Sequence, residues 1–301
     1  MIQFTKRRRT WFSVSAAACL AAIVLIAAFG FNLGLDFTGG ARWVVQFDEP
    51  VTTTQVTEFL TAQEGIDVAP KVQNSGDGQV LITIQDMADD AIQIIAGNMQ
   101  STLGNFKEVT YQKVDSSIGQ SFKEKALIAI AVALIGIILF VAWAFRSVPK
   151  SVNPWRFGAV AIVALFHDVL IIAGIFALLG HLLGIELDLP FITALLATLG
   201  FSVNDTIVIL DRVRENIRMQ KPTETFADTV DKSLTETLRR SINTSISTIF
   251  PLLALLFFGA GSIFYFVLAL ALGIVVGTYS SIFLAAPLLY HWKAWSDAQD
   301  A

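Results

Sequence analysis

The sequence predicts an α-helical membrane protein with six spanning helices and an α+β domain inserted between the first two. Two observations support this fold class. Of the 301 residues, 54% are hydrophobic and only 15% are charged, a composition that excludes an ordinary soluble domain. Six apolar stretches are each long enough to cross a bilayer, whereas the region from Asp36 to Lys125 contains none.

The first apolar stretch runs from Trp11 to about Phe31 and follows four consecutive basic residues, Lys6 to Arg9. This pattern is typical of either a cleavable signal peptide or a first membrane span. We favour the span, because a run of about 20 apolar residues exceeds a usual signal core and no small-residue cleavage site follows it. Residues 1–35 are therefore predicted to form a basic cytoplasmic tail and the first helix.

Residues 36–122 are predicted to form one compact α+β domain. The residue patterns place strands at 41–48, 66–73, 79–85 and 107–115, and helices at 53–64 and about 88–103. The resulting order βαββαβ indicates a ferredoxin-like fold. The single cysteine, Cys19, lies in an apolar run, so no disulfide within the chain is predicted.

Five further apolar stretches lie at about 124–145, 157–180, 188–211, 241–259 and 263–290. The region 123–292 is accordingly predicted to hold the second to sixth spans, followed by a tail at 293–301. The charged connection at 212–240 is expected to form short helices at the cytoplasmic surface, either as a solvated connector or as a surface for a partner. In the last span, GIVVG at 273–277 predicts close approach of another helix.

The distribution of basic residues predicts the orientation in the membrane. With the N-terminus on the cytoplasmic side, fifteen of the 21 Lys and Arg residues fall in inner segments and the other six in outer ones. Because Lys and Arg concentrate in cytoplasmic loops, both termini are predicted inside and the α+β domain outside.

The main functional indication is an acid inside the fourth span. In TLGFSVNDTIVILDRVRENIR (198–218), Thr198, Ser202 and Asp205 are spaced i, i+4 and i+7, which puts them on one stripe of a helix. A carboxylate in hydrocarbon is costly unless it is protonated, paired or hydrated, and such acids usually belong to ion or proton pathways. We therefore predict a proton pathway that includes Asp205 and its neighbour Asn204. The alternative is an acid that only hydrogen-bonds two helices together.

The fifth span has a second polar stripe, which is predicted to face Asp205. The stripe comprises, at helical spacing, Arg240, Asn243 or Thr244, Ser247 and Pro251. Asp205 lies about 9 Å below the membrane boundary at 1.5 Å per residue, a depth that Arg240 can reach. Arg240 is predicted to accompany the acid, the alternative being a boundary residue whose charge extends to water.

His167 and Asp168 lie near the middle of the third span. Adjacent side chains on a helix point about 100° apart, so the two are not expected to face one groove together. We predict that one of them lines the polar interior, and Asp168 joins the candidate proton pathway. Neither a catalytic dyad nor a metal site is predicted, because no nucleophile accompanies the pair and the ligands are too few.

Five motifs resemble those of the SecF proteins in the SecD/SecF family of protein-export membrane proteins. They are GLDFTGG (34–40), FHDV (166–169), GFSVNDTIVILDRVREN (200–216), TLRRSINTSISTI (237–249) and GTYSSIFLAAPL (277–288). The resemblance covers essentially the whole chain and implies a fold equal to half of an RND-type transporter. It implies a partner, SecD, that supplies a homologous half, and a role beside the Sec translocon in the bacterial cytoplasmic membrane.

The resemblance also implies roles for single residues. Asp205 corresponds to an acid of the proton path and Arg240 to the arginine that accompanies it. Asp36, Gly39 and Gly40 belong to a signature at the junction with the outer domain, where a structural or hinge-like role is implied. Protons are the implied coupling ion, with no other cofactor, no metal and no enzymatic activity. The implied contacts are the translocon SecYEG, with YajC and YidC as further candidates, the translocating polypeptide and membrane lipid, but no nucleic acid.

From the residues alone, two functions stay open: a proton-driven subunit for protein export, and an RND-type half-transporter that exports a lipid or another hydrophobic solute. The small outer insert favours the first, because RND exporters usually have larger porter domains. An intramembrane aspartyl protease built on Asp168 and Asp205 is disfavoured, because GFSVND lacks the glycine-aspartate arrangement of such enzymes. With its basic N-terminal tail, the chain is expected to be a separate subunit and not half of a fusion.

Overall fold

A computed structural model describes residues 3–74, 78–146, 153–259 and 261–299. The chain divides into two compact units, one of residues Leu33–Leu127 and the other of Met1–Asn32 together with Ile128–Ala301. Within the described ranges, six helices are long and apolar enough to cross a membrane. The predicted fold class, a six-span protein with an inserted α+β domain, is confirmed.

The elements follow one another along the chain with short connections. The helices are α1 (Arg8–Phe29), α2 (Leu35–Thr38), α3 (Thr53–Thr61), α4 (Asp89–Leu103), α5 (Ser116–Ala144), α6 (Pro154–Leu183), α7 (Leu189–Arg218), α8 (Phe226–Phe258), α9 (Phe264–Tyr279) and α10 (Ala286–Gln299). A π-helical turn, Ser280–Ala285, joins α9 to α10 into the sixth span. The strands are β1 (Gly40–Phe47), β2 (Lys71–Asn74), β3 (Gln79–Ile84) and β4 (Phe106–Val114).

The unit of residues Leu33–Leu127 contains a four-stranded sheet in the order β2-β3-β1-β4, with every described pair antiparallel. Buried side chains of β1 and β3 pack against α3 and α4 in one core, which includes Val45, Leu60 and Met99. The order βαββαβ matches the prediction. Strand β2 is shorter than predicted because Pro70 has no N–H for the ladder, so pairing starts only at Lys71.

In the membrane unit, α6, α7 and the sixth span form the centre. In the apolar stretch of α7 that is long enough to cross a membrane, 50% of the residues are buried, against 11% in the same stretch of α8 and 6% in that of α5. The glycines of GIVVG lie directly on α7: a Cβ at Gly277 would be 2.9 Å from Cβ of Ser202, and one at Gly273 would overlap Thr198. Close approach at this motif, as predicted, is confirmed, because only glycine leaves room for the facing helix.

The charged stretch 212–240 differs from its prediction of separate short surface helices. Helix α7 continues to Arg218 and α8 begins at Phe226, so only residues 219–225 connect them. Both helices continue because each keeps an apolar buried side. The buried apolar side chains here are Val213, Ile217, Val230 and Leu234, which belong to the same hydrophobic cluster. A capping box of Thr225 and Asp228 starts α8.

Helix α1 is attached to the rest of the membrane unit at both ends. Before its first turn, the backbone N–H and the hydroxyl of Thr5 each donate to the carboxyl of Asp231 in α8, at 2.9 Å. After its last turn, the Asn32 side chain donates to the Gly184 carbonyl at 3.0 Å. The Asn32 carbonyl accepts from the Leu187 N–H at 2.8 Å. These contacts tie α1 to α8 at one end and to the α6–α7 connection at the other.

Candidate functional site

The polar stripe predicted on α7 is buried. Thr198 is 4%, Ser202 1% and Asp205 7% exposed. The Ser241 hydroxyl of α8 donates to Oδ1 of Asp205 at 2.6 Å. The other oxygen, Oδ2, is enclosed and has no hydrogen-bond partner among the described residues. Asp205 is therefore a buried acid whose hydrogen bonding is only half complete within the described part of this chain.

Asp168 of α6 has a different environment. Its Oδ2 accepts from the hydroxyls of Ser202 at 2.5 Å and Ser280 at 2.8 Å, and its Oδ1 lies 2.9 Å from Nδ1 of His167. Both His167 and Asp168 are buried, so they do not diverge as predicted. Nδ1 lies on the near side of the imidazole ring, which lets it meet the carboxyl of the next residue although the two Cβ atoms point apart. The Asp168 carboxyl is fully hydrogen-bonded within the chain.

The π-helical turn of the sixth span supplies two hydroxyls to this region. Ser280 and Ser281 are adjacent and both fully buried, because most of this turn is enclosed by neighbouring helices. Ser280 binds Asp168, and the Ser281 hydroxyl lies 2.7 Å from that of Thr206 on α7. On α9, Thr278 lies 2.5 Å from Ser245 of α8. These hydroxyls come from the helices that surround Asp168 and Asp205.

On α8, the structure turns inward a different face from the predicted one. The side chains of Arg240, Asn243, Thr244 and Ser247 are exposed, whereas the buried face presents Ser233, Thr237, Ser241 and Ser245. Arg239 is exposed as well. No described contact joins Arg240 to Asp205 by a hydrogen bond, and Ser241, the next residue, binds the acid instead. The missed signal was the run of four small hydroxyl residues at strict i, i+4 spacing.

Asn204 lies on the exposed face of α7, beside the acid but not bonded to it. The exposed positions that precede it are small: Thr193, Ala197 and Gly200. A Cβ at Gly200 would meet nothing within 4 Å, in contrast to the glycines of α9. We call Thr193, Ala197, Gly200 and Asn204 the α7 stripe. It is a small and polar surface at membrane depth that no described part of this chain covers.

The glycines of GLDFTGG occupy conformations that other residues rarely adopt. Gly39 ends α2 with φ 71° and Gly40 begins β1 with φ 129°. A Cβ on Gly39 would lie 2.6 Å from the Cα of Ser116, the first residue of α5. These positions fit the structural role implied for the signature. Asp36 lies within α2 and is partly buried.

The polar side chains at this site carry groups that can bind or release a proton. The described residues include no group of three His, Cys, Asp or Glu side chains placed to hold a metal ion. The buried polar side chains of α6 to α9 carry mainly carboxyl, imidazole and hydroxyl groups, and each of these can accept or donate a proton. Asp205 is the carboxyl among them that keeps an oxygen without a partner in the described contacts.

Comparison with known proteins gives a consistent result. The family descriptions "Protein export membrane protein SecD/SecF, C-terminal" and "SecD/SecF GG Motif" match residues 94–295 and 24–51. The protein translocase subunit SecF of Thermobaculum terrenum is 40% identical over 97% of this chain and 94% of its own length. The protein translocase subunit SecDF of Thermus thermophilus is 34% identical over 94% of this chain, which spans 37% of that longer protein. The crystal structure of SecDF from the same genus and species, titled a translocon-associated membrane protein, aligns with a TM-score of 0.83 at 31% identity. That alignment covers 97% of this chain and 39% of the other.

Proposed function

This chain belongs to the SecD/SecF family of protein-export membrane proteins, and we propose that it acts as the SecF-type subunit of a Sec translocase that uses proton flow to promote export. Family membership favours this role over the solute half-transporter, because the relatives named above are translocase subunits. The bacterial cytoplasmic membrane is the proposed location, with both termini inside and the α+β domain outside, as the basic residues predict.

The observation that supports the proton role is the half-bonded carboxyl of Asp205. Protonated, Oδ2 could donate a hydrogen bond; deprotonated, it needs a donor or water, because an enclosed charge without a partner is strongly unfavourable. The two protonation states therefore favour different surroundings for α7 and α8. Such a difference is what proton binding needs in order to move helices. Asp168, whose oxygens are already occupied, is the secondary candidate in this path.

We propose that SecD covers the α7 stripe. Asn204 on α7 and Asn243 on α8 are exposed at membrane depth, and no described contact gives either amide a hydrogen bond. Amides left in hydrocarbon are costly, so a second protein surface or water must meet them. Small residues let a helix of another protein approach closely, as at Gly273 and Gly277 within this chain. The SecDF relative, in which both names are joined in one protein, supports SecD as this partner.

SecYEG, YajC and YidC, a translocating polypeptide and surrounding lipid are the further contacts proposed from the family resemblance. Protons are the proposed coupling ion, and the mechanism requires no other cofactor.

The test uses Gly200→Trp in the full chain, co-expressed with SecD and purified from membranes. The indole enters open space in this chain, so folding should persist, but it should block a helix docked on the α7 stripe. We expect wild-type protein to co-purify with SecD and the variant to lose most of it. Leu139→Trp is the matched control, since Leu139 is also exposed, at 65%, but lies on α5. Undiminished SecD recovery with Gly200→Trp would place the interface elsewhere, and no SecD recovery with wild-type protein would refute the partnership.

A further inference from the structure

The α+β unit has a free edge at β4. In the sheet order β2-β3-β1-β4, this strand pairs only with β1 among the described strands. It is nine residues long, and the side chains from Lys107 to Gln112 are all exposed. Val109 and Tyr111 expose large apolar surfaces, 44% and 39% of their areas. A long edge strand with unpaired backbone groups is a template to which another strand can add.

A groove of about 500 Å³ lies along this edge, between β4 and α4. Its walls include the aromatic rings of Trp43 and Tyr111, the aliphatic side chains of Ile92 and Ala96, and the charged groups of Glu108 and Lys113. Grooves with apolar walls and a few charged groups are typical of sites that bind the side chains of a peptide. The groove can therefore accommodate a peptide side chain beside the free backbone edge of β4.

The strand register explains why these rings share the groove. Trp43 lies directly opposite Tyr111, with ring centroids 5.6 Å apart. Residues opposite each other on neighbouring strands point to the same face, so Tyr111 and Lys113 point to the helical side, whereas Thr110 and Gln112 point away. The indole Nε1 of Trp43 is buried and has no acceptor among the described residues. An enclosed donor without a partner is unusual, and a bound peptide carbonyl that reached it would satisfy it.

A bulge limits the length of the free segment. The pairing of β1 with β4 shifts between Val44 and Val45, so that Val109 falls outside the regular register. The stretch from Thr110 to Val114 stays in register with β1. A bulge interrupts a ladder and twists the strand, so an added strand would pair along about five residues, next to the groove.

We infer that the free edge of β4, together with this groove, binds an extended segment of unfolded polypeptide. The segment adds as a fifth strand through backbone hydrogen bonds and places a large apolar side chain against Trp43 and Tyr111. Backbone pairing accepts almost any sequence, whereas the groove selects the side chain. The assignment of this segment to an exported chain rests on the proposed function, but the binding itself can be measured without export.

The experiment uses the full chain in lipid nanodiscs and a fluorescent peptide of about ten residues that alternates Phe with Ser. A second peptide has the same sequence with N-methylated backbone amides at alternate positions. We expect the first peptide to bind with a micromolar dissociation constant and the second to bind at least about tenfold more weakly, because methylation removes the strand hydrogen bonds. Equal binding of both peptides would exclude strand addition.

Variants locate the site. Tyr111→Ala should weaken binding about tenfold, as expected for an aromatic anchor, and Trp43→Phe about fivefold, because it removes the indole N–H together with part of the aromatic wall of the groove. Thr110→Ala, on the opposite face of the same strand, is the control and should bind normally. Asp205→Asn should also bind normally, which separates peptide binding from the proton role. Normal binding by Tyr111→Ala, or complete loss of peptide binding when SecD is present, would overturn the inference; the second result would mean that SecD occupies the edge.

Discussion

Two buried acids lie in neighbouring parts of the same bundle, and their surroundings are opposite. Asp168 receives hydroxyl hydrogen bonds from Ser202 and Ser280 and has the imidazole of His167 against its other oxygen. Asp205 receives one hydrogen bond, from Ser241, and its second oxygen has no partner among the described residues. The first acid is complete within the chain and the second is not.

We interpret this difference as a division of roles between the two acids. A buried carboxyl whose hydrogen bonds are all satisfied stabilises one arrangement of the helices around it. A carboxyl with an unsatisfied oxygen stabilises no single arrangement and gains from any change that brings a donor, water or proton. Asp205 also lies beside the sparsely buried helix α8, whereas Asp168 lies among α6, α7 and the sixth span. We therefore propose that Asp168 mainly stabilises the packing of its helices and that Asp205 mainly couples proton binding to their movement.

The largest expected effect is that of Asp205→Asn on export. The amide keeps an acceptor for Ser241 but cannot exchange a proton, so stimulation of export by a proton gradient should fall on the order of tenfold or more. The thermal unfolding midpoint and SecD recovery should stay near wild type. The measurement is translocation of a secretory protein into vesicles with and without a gradient. Unchanged stimulation would remove Asp205 from the proton path.

Arg240→Ala should lower gradient-driven export nearly as much. Arg240 directly precedes Ser241, which donates a hydrogen bond to Asp205. Of the two arginines, Arg240 is therefore the closer along the chain to the residue that binds the acid. Arg239→Ala is the matched control and should be milder. The same vesicle assay compares the two variants, and the reverse order would assign the role to Arg239.

Asp168→Asn should act mainly on stability. An amide nitrogen in place of Oδ1 would face Nδ1 of His167 as a second donor whenever that nitrogen carries a proton, and one in place of Oδ2 could not accept from Ser202 or Ser280. A buried donor left without an acceptor costs about 1–3 kcal/mol. We expect a loss of about 3 kcal/mol in the free energy of unfolding, with export per folded molecule largely retained. Denaturation in detergent measures the first quantity and the vesicle assay the second. A variant of normal stability that has lost gradient-driven export would reverse the comparison and make Asp168 the coupling acid.

The smallest expected effect is that of Ser241→Ala. It removes the described hydrogen bond to Asp205 at a cost of about 1 kcal/mol, and should change gradient-driven export only a few-fold. Ser247→Ala is its control: Ser247 lies on the exposed face of α8 and donates to the Thr244 carbonyl within its own helix. Equal effects of the two substitutions would show that the buried face of α8 has no special role.

Much of the fold follows from local pattern. Apolar length predicts the six spans, and alternation with turn residues predicts the βαββαβ order, because both depend on neighbours along the chain. The burial of Asp205 was likewise predictable from its stripe with Thr198 and Ser202. The inward face of α8 was not, because charged and hydroxyl residues lie on both sides and only contacts with α7 and α9 decide between Ser241 and Arg240. The meeting of Ser280 with Asp168 depends on a π-helical turn, which has no clear sequence pattern.

Through its two attachments, helix α1 connects two distant parts of the membrane unit. Twenty-two residues at 1.5 Å each give it a length of about 33 Å. At one end, Thr5 is hydrogen-bonded to Asp231, which lies on the same helix as Ser241. At the other end, Asn32 is hydrogen-bonded to the turn between α6 and α7. A displacement of α8 relative to the α6–α7 turn would therefore have to move α1 with it or break the hydrogen bonds at one of its ends.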